Sequence, residues 1–261
     1  MEILACVKRV PTVGGKITLT EDRQRVDTRM SGFAISPHEE CAVEEAVRIT
    51  ERLGGSVTVL TLGPPEAADQ VRDMLALGAG HGILLETEGA DWGPIATAEA
   101  IAASAKQRAE LGGGYDLLLF GNEAADTGDY QVPVRVAHLL GLPCVTGIKR
   151  LEIESDAAGN PHRLRASREY RGAEETFELP LPAVVSVKEG LNLPRYPSLP
   201  GRLRAKRAVL DRITPSGRAE GVRTIGLRLP ADKQHRAQVL GTGVDAVPAL
   251  VTLLDELGVL S

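Results

Sequence analysis

Asp116-Leu117-Leu118-Leu119-Phe120, followed by Gly121-Asn122-Glu123-Ala124-Ala125-Asp126-Thr127-Gly128-Asp129-Tyr130-Gln131, is the stretch on which the fold turns. Four apolar residues in succession leave no polar face, so Asp116–Phe120 is expected to be a strand covered on both sides. Strands of that kind belong to parallel sheets flanked by helices, because parallel neighbours must be joined by crossovers. The loop that follows is polar and small, and Val132–Leu140 then resumes helical spacing up to Gly141-Leu142-Pro143.

The same strand-to-helix unit recurs upstream. Ile3–Val7 reads as the first strand, and Lys16 to Arg29 as a small excursion or hairpin with alternation at Ile17, Leu19 and Val26. A helix then starts at Ser36-Pro37-His38-Glu39. Ser36 can cap it, Pro37 suits its first position, and Glu39 completes a capping box. Ala42, Val43, Ala46, Val47 and Ile49 form its inward face, and Gly54-Gly55 ends it. Ser56–Leu62 is the second strand, Glu66–Leu77 a helix, Gly82–Glu86 the third strand and Pro94–Leu111 a helix. A fifth strand is expected near Cys144–Val145. Alternating segments at Leu151–Ile153, Arg163–Arg165 and Thr176–Leu179 predict an antiparallel addition to the sheet, followed by the apolar strand Ala183–Val187. The tail is looser, with weak strand signals at Arg223–Leu227 and a terminal helix at Val244–Leu257.

A chain of 261 residues with 43% hydrophobic and 25% charged residues has the composition of an ordinary globular protein. A net charge of −5 argues against general nucleic-acid binding. No apolar run approaches the ~20 residues of a membrane span. The three cysteines, Cys6, Cys41 and Cys144, stand far apart among apolar neighbours, which predicts buried thiols and a cytoplasmic, reducing setting.

Residues 191–207, LNLPRYPSLPGRLRAKR, differ from everything before them. Pro194, Pro197 and Pro200 forbid a continuous helix, so the segment is expected to run extended. Leu191, Leu193, Tyr196, Leu199 and Leu203 are too apolar for a solvated linker, and Arg202, Arg204, Lys206 and Arg207 follow. The leucines either pack back on their own domain or dock on a partner with a greasy pocket and an acidic rim.

Open parallel sheets bind ligands beyond the carboxyl ends of their strands, where the strand order reverses. If the chain winds outward from its first strand and restarts at its fourth, Cys6–Arg9, the Ser36 helix and Gly121–Gln131 converge on that point. Small residues in the last segment permit close approach, and the next helix offers free amides to a phosphate. Asp126 or Asp129 could accept a bond from a ribose hydroxyl. The same composition also suits a plain turn. Other motifs fail on context. Gly14-Gly15-Lys16 lacks the first glycine and the hydroxyl of a P-loop, and Gly78-Ala79-Gly80-His81-Gly82 follows a helix instead of a strand. His38 and Cys41 lack further metal ligands. No nucleophile–base set is visible.

Three stretches, ILACVKRVP at the N-terminus, SPHEECAVEEAVR and LNLPRYPSLPGRLRAKR after the strand Ala183–Val187, resemble the beta subunits of electron transfer flavoproteins in order and spacing. The resemblance covers essentially the whole chain. It implies a Rossmann-like, doubly wound, mostly parallel α/β sheet of the adenine nucleotide alpha hydrolase type, with antiparallel additions and a C-terminal arm. Residues 1–190 would be the nucleotide-binding domain, 191–207 a partner-recognition loop and 208–261 an arm on the alpha subunit. It implies an electron carrier, not an enzyme with catalytic residues of its own, and a heterodimer. Flavin dehydrogenases would be the donors and a quinone oxidoreductase or another acceptor the recipient. FAD would be held mainly by the alpha subunit, with AMP or a second FAD in this chain.

Carried over singly, Cys6 matches a backbone contact, Ser36, Pro37, His38 and Glu39 the helix-start contacts, Leu62 the end of strand two, and 121–132 the phosphate loop. Leu199 matches the anchor leucine, with Arg204 and Arg207 as its basic flanks. The chain departs from the family in having Ser36 for a common Asn, Tyr130, Val132 and Pro133 in place of a Thr-rich turn, and Val13 for an aromatic near the flavin. A stand-alone adenine-nucleotide enzyme or sensor, or a scaffold with a degraded site, are the alternatives.

Overall fold

The run at 117–120 lies inside a seven-stranded sheet in which every adjacent pair is parallel. The computed structural model describes residues 1–12, 17–88, 92–217, 224–230 and 239–260. Along the chain these form β1 (Glu2–Cys6), β2 (Val10–Thr12), β3 (Gly32–Ala34), α1 (Pro37–Leu53), β4 (Ser56–Gly63), α2 (Ala68–Ala76), β5 (His81–Glu86), α3 (Pro94–Glu110), β6 (Leu117–Gly121) and α4 (Val132–Leu140). They continue as β7 (Cys144–Ile148), β8 (Arg150–Ser155), β9 (Pro161–Tyr170), β10 (Ala173–Pro180), β11 (Ala183–Val187), α5 (Leu199–Arg207), β12 (Asp211–Ile213) and α6 (Val247–Glu256). The main sheet runs β12-β5-β4-β1-β6-β11-β7.

Side chains alternate across each strand and build two cores. Ile3, Ala5, Val59, Leu117 and Leu119 face α1 and α2 and pack with Val43, Ile49 and Val71. Leu4, Cys6, Leu60, Leu118 and Phe120 face α3 and α4 and pack with Ala98, Ile101 and Val136. Both faces of β6 are buried, which is why its sequence never alternates. The doubly wound α/β reading therefore holds.

Three expectations need correction. The antiparallel segments do not extend the main sheet. They form a separate sheet, β10-β9-β8, after which β11 returns between β6 and β7. In that sheet Leu164 and Ala166 are buried while Arg163 and Arg165 bond Glu154 and Glu178, so each strand has one apolar and one ionic face.

The second correction concerns 191–207. Residues 191–198 carry no helix or strand, but α5 starts at Leu199, capped by the Ser198 Oγ, which accepts from Gly201 N at 3.1 Å. Pro200 falls in the first turn, where a missing N–H costs nothing.

Third, residues 224–227 form no strand, and Arg223 lies outside the described residues, as do Val13 and Gly14-Gly15-Lys16. The polar excursion does close as a hairpin, through an antiparallel bridge between Leu19 and Val26. β12, which follows α5, pairs with β5 at the edge of the main sheet. No described helix is long and apolar enough to cross a membrane.

Candidate functional site

From β1 the chain steps outward through β4 to β5, then restarts at β6 on the other side of β1. The order therefore reverses between β1 and β6, and the crevice lies past Cys6 and Gly121. The first turn of α1 packs directly on the end of β6. A Cβ at Gly121 would lie 2.6 Å from Glu39 Cγ and 3.3 Å from Glu39 N, so only glycine allows this approach.

The predicted capping box is present, and it does more than cap. Glu39 is buried, and its carboxylate accepts from Ser36 N at 3.1 Å, Ser36 Oγ at 2.9 Å and Lys8 N at 2.8 Å. It thereby ties the loop after β1 to the start of α1, which Pro37 opens. Burial pushes Glu39 up to about 7, against the opposing pull of the hydrogen bonds from Ser36 and Lys8. His38 Nδ1 accepts from Glu189 N at 2.9 Å, and Nε2 stands 3.6 Å from Glu123 Oε1.

The loop after β6 is similarly self-satisfied. Asn122 N donates to Val187 O at 2.9 Å, and its Oδ1 accepts from Ser186 Oγ at 3.2 Å. Gly147 N in turn donates to Ser186 Oγ, so this one amide side chain braces β6, β11 and β7. Ala124 O accepts from Gly128 N at 2.7 Å, closing a turn with Gly128 at φ 62°. Ala125 follows, then Asp126, whose Oδ1 accepts from Lys8 Nζ at 2.6 Å. Thr127 Oγ1 donates to Asp129 Oδ2 at 2.7 Å. Tyr130 is in the left-handed region and exposed, and Gln131 Oε1 accepts from Arg135 Nε and Nη2.

Val132 opens α4, and Pro133 brings no amide to its first turn. Cys6 is buried, with burial raising its thiol far above the ordinary range, so only its main chain can serve a ligand. Leu62 packs half-buried beside the α3–α4 core.

Cys6, Ser36–Glu39 and the first half of the 121–132 loop thus lie together at the carboxyl ends of β1 and β6, while their polar side chains are largely spent on one another. A nucleotide here would be met by main-chain groups: the small loop at 121–128 and the first-turn amides of α4, which have no intrahelical acceptor. That donor set suits a phosphate group held through backbone. Sequence reasoning missed the internal partners Glu189, Ser186 and the Lys8 ammonium, because each contact joins distant parts of the chain. A separate groove of about 590 Å³ opens between α3 and α4, lined by Ile95, Tyr130, Val134, Arg135, His138 and Leu139 among others. It shares only Tyr130 and Gln131 with the predicted site.

The second predicted site lies elsewhere. Leu199 is 72% exposed at the start of α5, next to Tyr196 at 94% and Leu193 at 83%. Arg204 and Arg207 are exposed on the same helix. The opposite side of α5 is anchored by Gly201 and Ala205 against α2. The C-terminal α6 buries none of its residues, and Val247, Leu250 and Val251 stay at least 45% exposed.

Residues 26–216 match the family model described as "Electron transfer flavoprotein domain". The chain is also similar to the "Electron transfer flavoprotein subunit beta" of Bacillus subtilis (strain 168), at 31% identity over 97% of each chain. The human protein of that name is 32% identical over 99% of this chain and 98% of its own length. The one from Syntrophomonas wolfei is 34% identical over 89% of this chain and 87% of its own.

Proposed function

This chain belongs to the electron transfer flavoprotein beta-subunit family, and from that premise we propose that it works as one half of a heterodimeric electron carrier. It takes electrons from flavin dehydrogenases and passes them to a quinone oxidoreductase or another acceptor. The FAD, held mainly by the alpha subunit, supplies the redox chemistry when bound. This chain braces that flavin domain, holds AMP or a second FAD of its own, and presents a docking segment. The observation that carries the reading is the exposed apolar row Leu193, Tyr196 and Leu199 beside Arg204 and Arg207. Rigid apolar anchors with a cationic border suit a partner pocket with an acidic rim.

In the crevice, the main chain at Cys6, Leu62 and 121–132 and the capped start of α1 at Ser36–Glu39 hold the nucleotide. Lys8, paired with Asp126 beside the loop, would offer its phosphates a cation. The bare apolar face of α6 favours an arm on the alpha subunit over a stand-alone nucleotide enzyme. Three free thiols are in keeping with a cytoplasmic setting.

Co-expression with its alpha subunit should yield a yellow 1:1 complex, and denaturation should release FAD with AMP, or two FAD per heterodimer. In that complex Leu199→Ala should slow reduction by dehydrogenases and leave assembly intact. A colourless monomer, or a Leu199→Ala complex reduced at the native rate, would overturn the reading.

A further inference from the structure

The segment that leads to Leu199 is not a free linker, and of its apolar side chains Leu191 packs half-buried against the core. The segment lies along α1 as a strap. His38 accepts from Glu189 N, Asn192 Nδ2 donates to Cys41 O and Glu45 Oε2, and Arg48 Nη2 donates to Leu193 O. These contacts, with Glu51 at the far end, follow α1 over some 13 residues, or ~20 Å. The strap is held by polar bonds while Leu193 and Tyr196 face outward.

One ionic cluster dominates. The side chain of Glu44 is 1% exposed, and its carboxylate accepts from Arg48 Nε and from Arg195 three ways: from Nε at 2.9 Å, Nη2 at 3.2 Å and the backbone N at 3.2 Å. The same guanidinium reaches Glu51 with Nη1 at 2.6 Å and Nη2 at 2.8 Å. A buried carboxylate demands its partners, so Arg195 has one place to sit. Arg195 lies between Pro194 and Pro197, whose fixed φ angles pass that placement on to Tyr196 and Ser198. Ser198 then caps α5, with Leu199 as its first residue.

We propose that Arg195, seated on Glu44 and Glu51, is the positioning residue of the docking segment and presents Tyr196 and Leu199 to the dehydrogenase in the bound conformation before contact. The proposal rests on the docking role given above to Leu199. A preformed segment spares the ordering entropy that a mobile one would lose on binding. Arg195 acts through the strap and touches no reacting group.

The test compares Arg195→Gln, Arg195→Lys and Leu199→Ala in the intact heterodimer. Two quantities are read: amide hydrogen exchange over 189–199, and KM and kcat with whichever flavin dehydrogenase of the source organism reduces the native complex fastest. Arg195→Gln should speed exchange across the strap and raise KM about tenfold with kcat unchanged, because only the ordering step is lost. Arg195→Lys should fall between, since an ammonium cannot fork to two carboxylates. Leu199→Ala should raise KM and leave exchange as it was. A raised KM in Leu199→Ala with native KM in Arg195→Gln overturns the positioning role and keeps the docking role. Native KM in both overturns the docking role and the proposal with it. A fall in kcat, or loss of FAD from Arg195→Gln, also overturns it. Should Arg195→Gln fail to assemble, Arg195→Lys and Glu51→Gln are read by the same criteria.

Discussion

The crevice and the strap use residues in opposite ways. Around the proposed crevice, polar side chains with the chemistry to grip a ligand (Glu39, Asn122, Asp126) are spent on holding loops together, leaving backbone for the proposed nucleotide. On the strap, apolar side chains that ordinarily build cores turn outward, and a buried ion pair supplies the mounting. Residue type alone thus misreads both regions, because a polar side chain at a loop can be spent on structure and a leucine can be left in solvent. What separates the two cases is where each group finds its partner.

Glu39 gives the largest handle on the crevice. Its carboxyl sits at about 7 in the fold against an ordinary 4.5. Below the unfolded value both states are protonated. Between the two values the native state keeps a proton that the unfolded state has lost, so stability falls as pH rises and levels off above 7. The expected loss is roughly 3 kcal/mol, from 1.36 kcal/mol per unit. Denaturant unfolding at pH 5 and pH 8 should show this slope in the native chain and not in Glu39→Gln, and an equal slope in both would place the proton elsewhere.

Two glycines compare the regions next. Gly121→Ala drives a Cβ onto the locked Glu39 side chain, and Gly201→Ala drives one to 2.7 Å from Ala76 O, where α5 meets α2. Overpacking of this kind costs about 1–3 kcal/mol. Gly121 should stand at the upper end because the capping box cannot move, whereas α5 can lift from α2. Thermal melts that rank them in reverse would make the strap the more rigid region.

The smallest effect is expected at the rim of the crevice. Lys8 and Asp126 are paired at 2.6 Å but with side chains 40% and 23% exposed. Lys8→Ala should therefore cost less than about 1 kcal/mol. A larger loss in urea unfolding would mean that this pair, like Glu44 with Arg195, holds its region in place.

Much of the fold was legible because the signals are local. The unbroken apolar run at 117–120, the Ser36–Glu39 box and the glycines after α1 to α4 act within a few residues, and the structure follows them closely. The failures share a cause. Pro200 reads like Pro194 and Pro197 until the chain's path shows it in the first turn of a helix. The antiparallel strands read as part of the main sheet because alternation reports a half-buried strand, not which neighbour it pairs with.

The sequence by itself determined the order and type of most elements, the parallel α/β class and the family, since periodicity, capping and turn chemistry are short-range. Only the tertiary structure decided that Glu44 meets Arg195 across 151 positions, that Gly121 is glycine because Glu39 lies against it, and that Leu199 opens a helix and faces solvent. Each of these depends on which surfaces the folded chain brings together. Burial, close approach and charge pairing are properties of that assembly, and no local pattern records them.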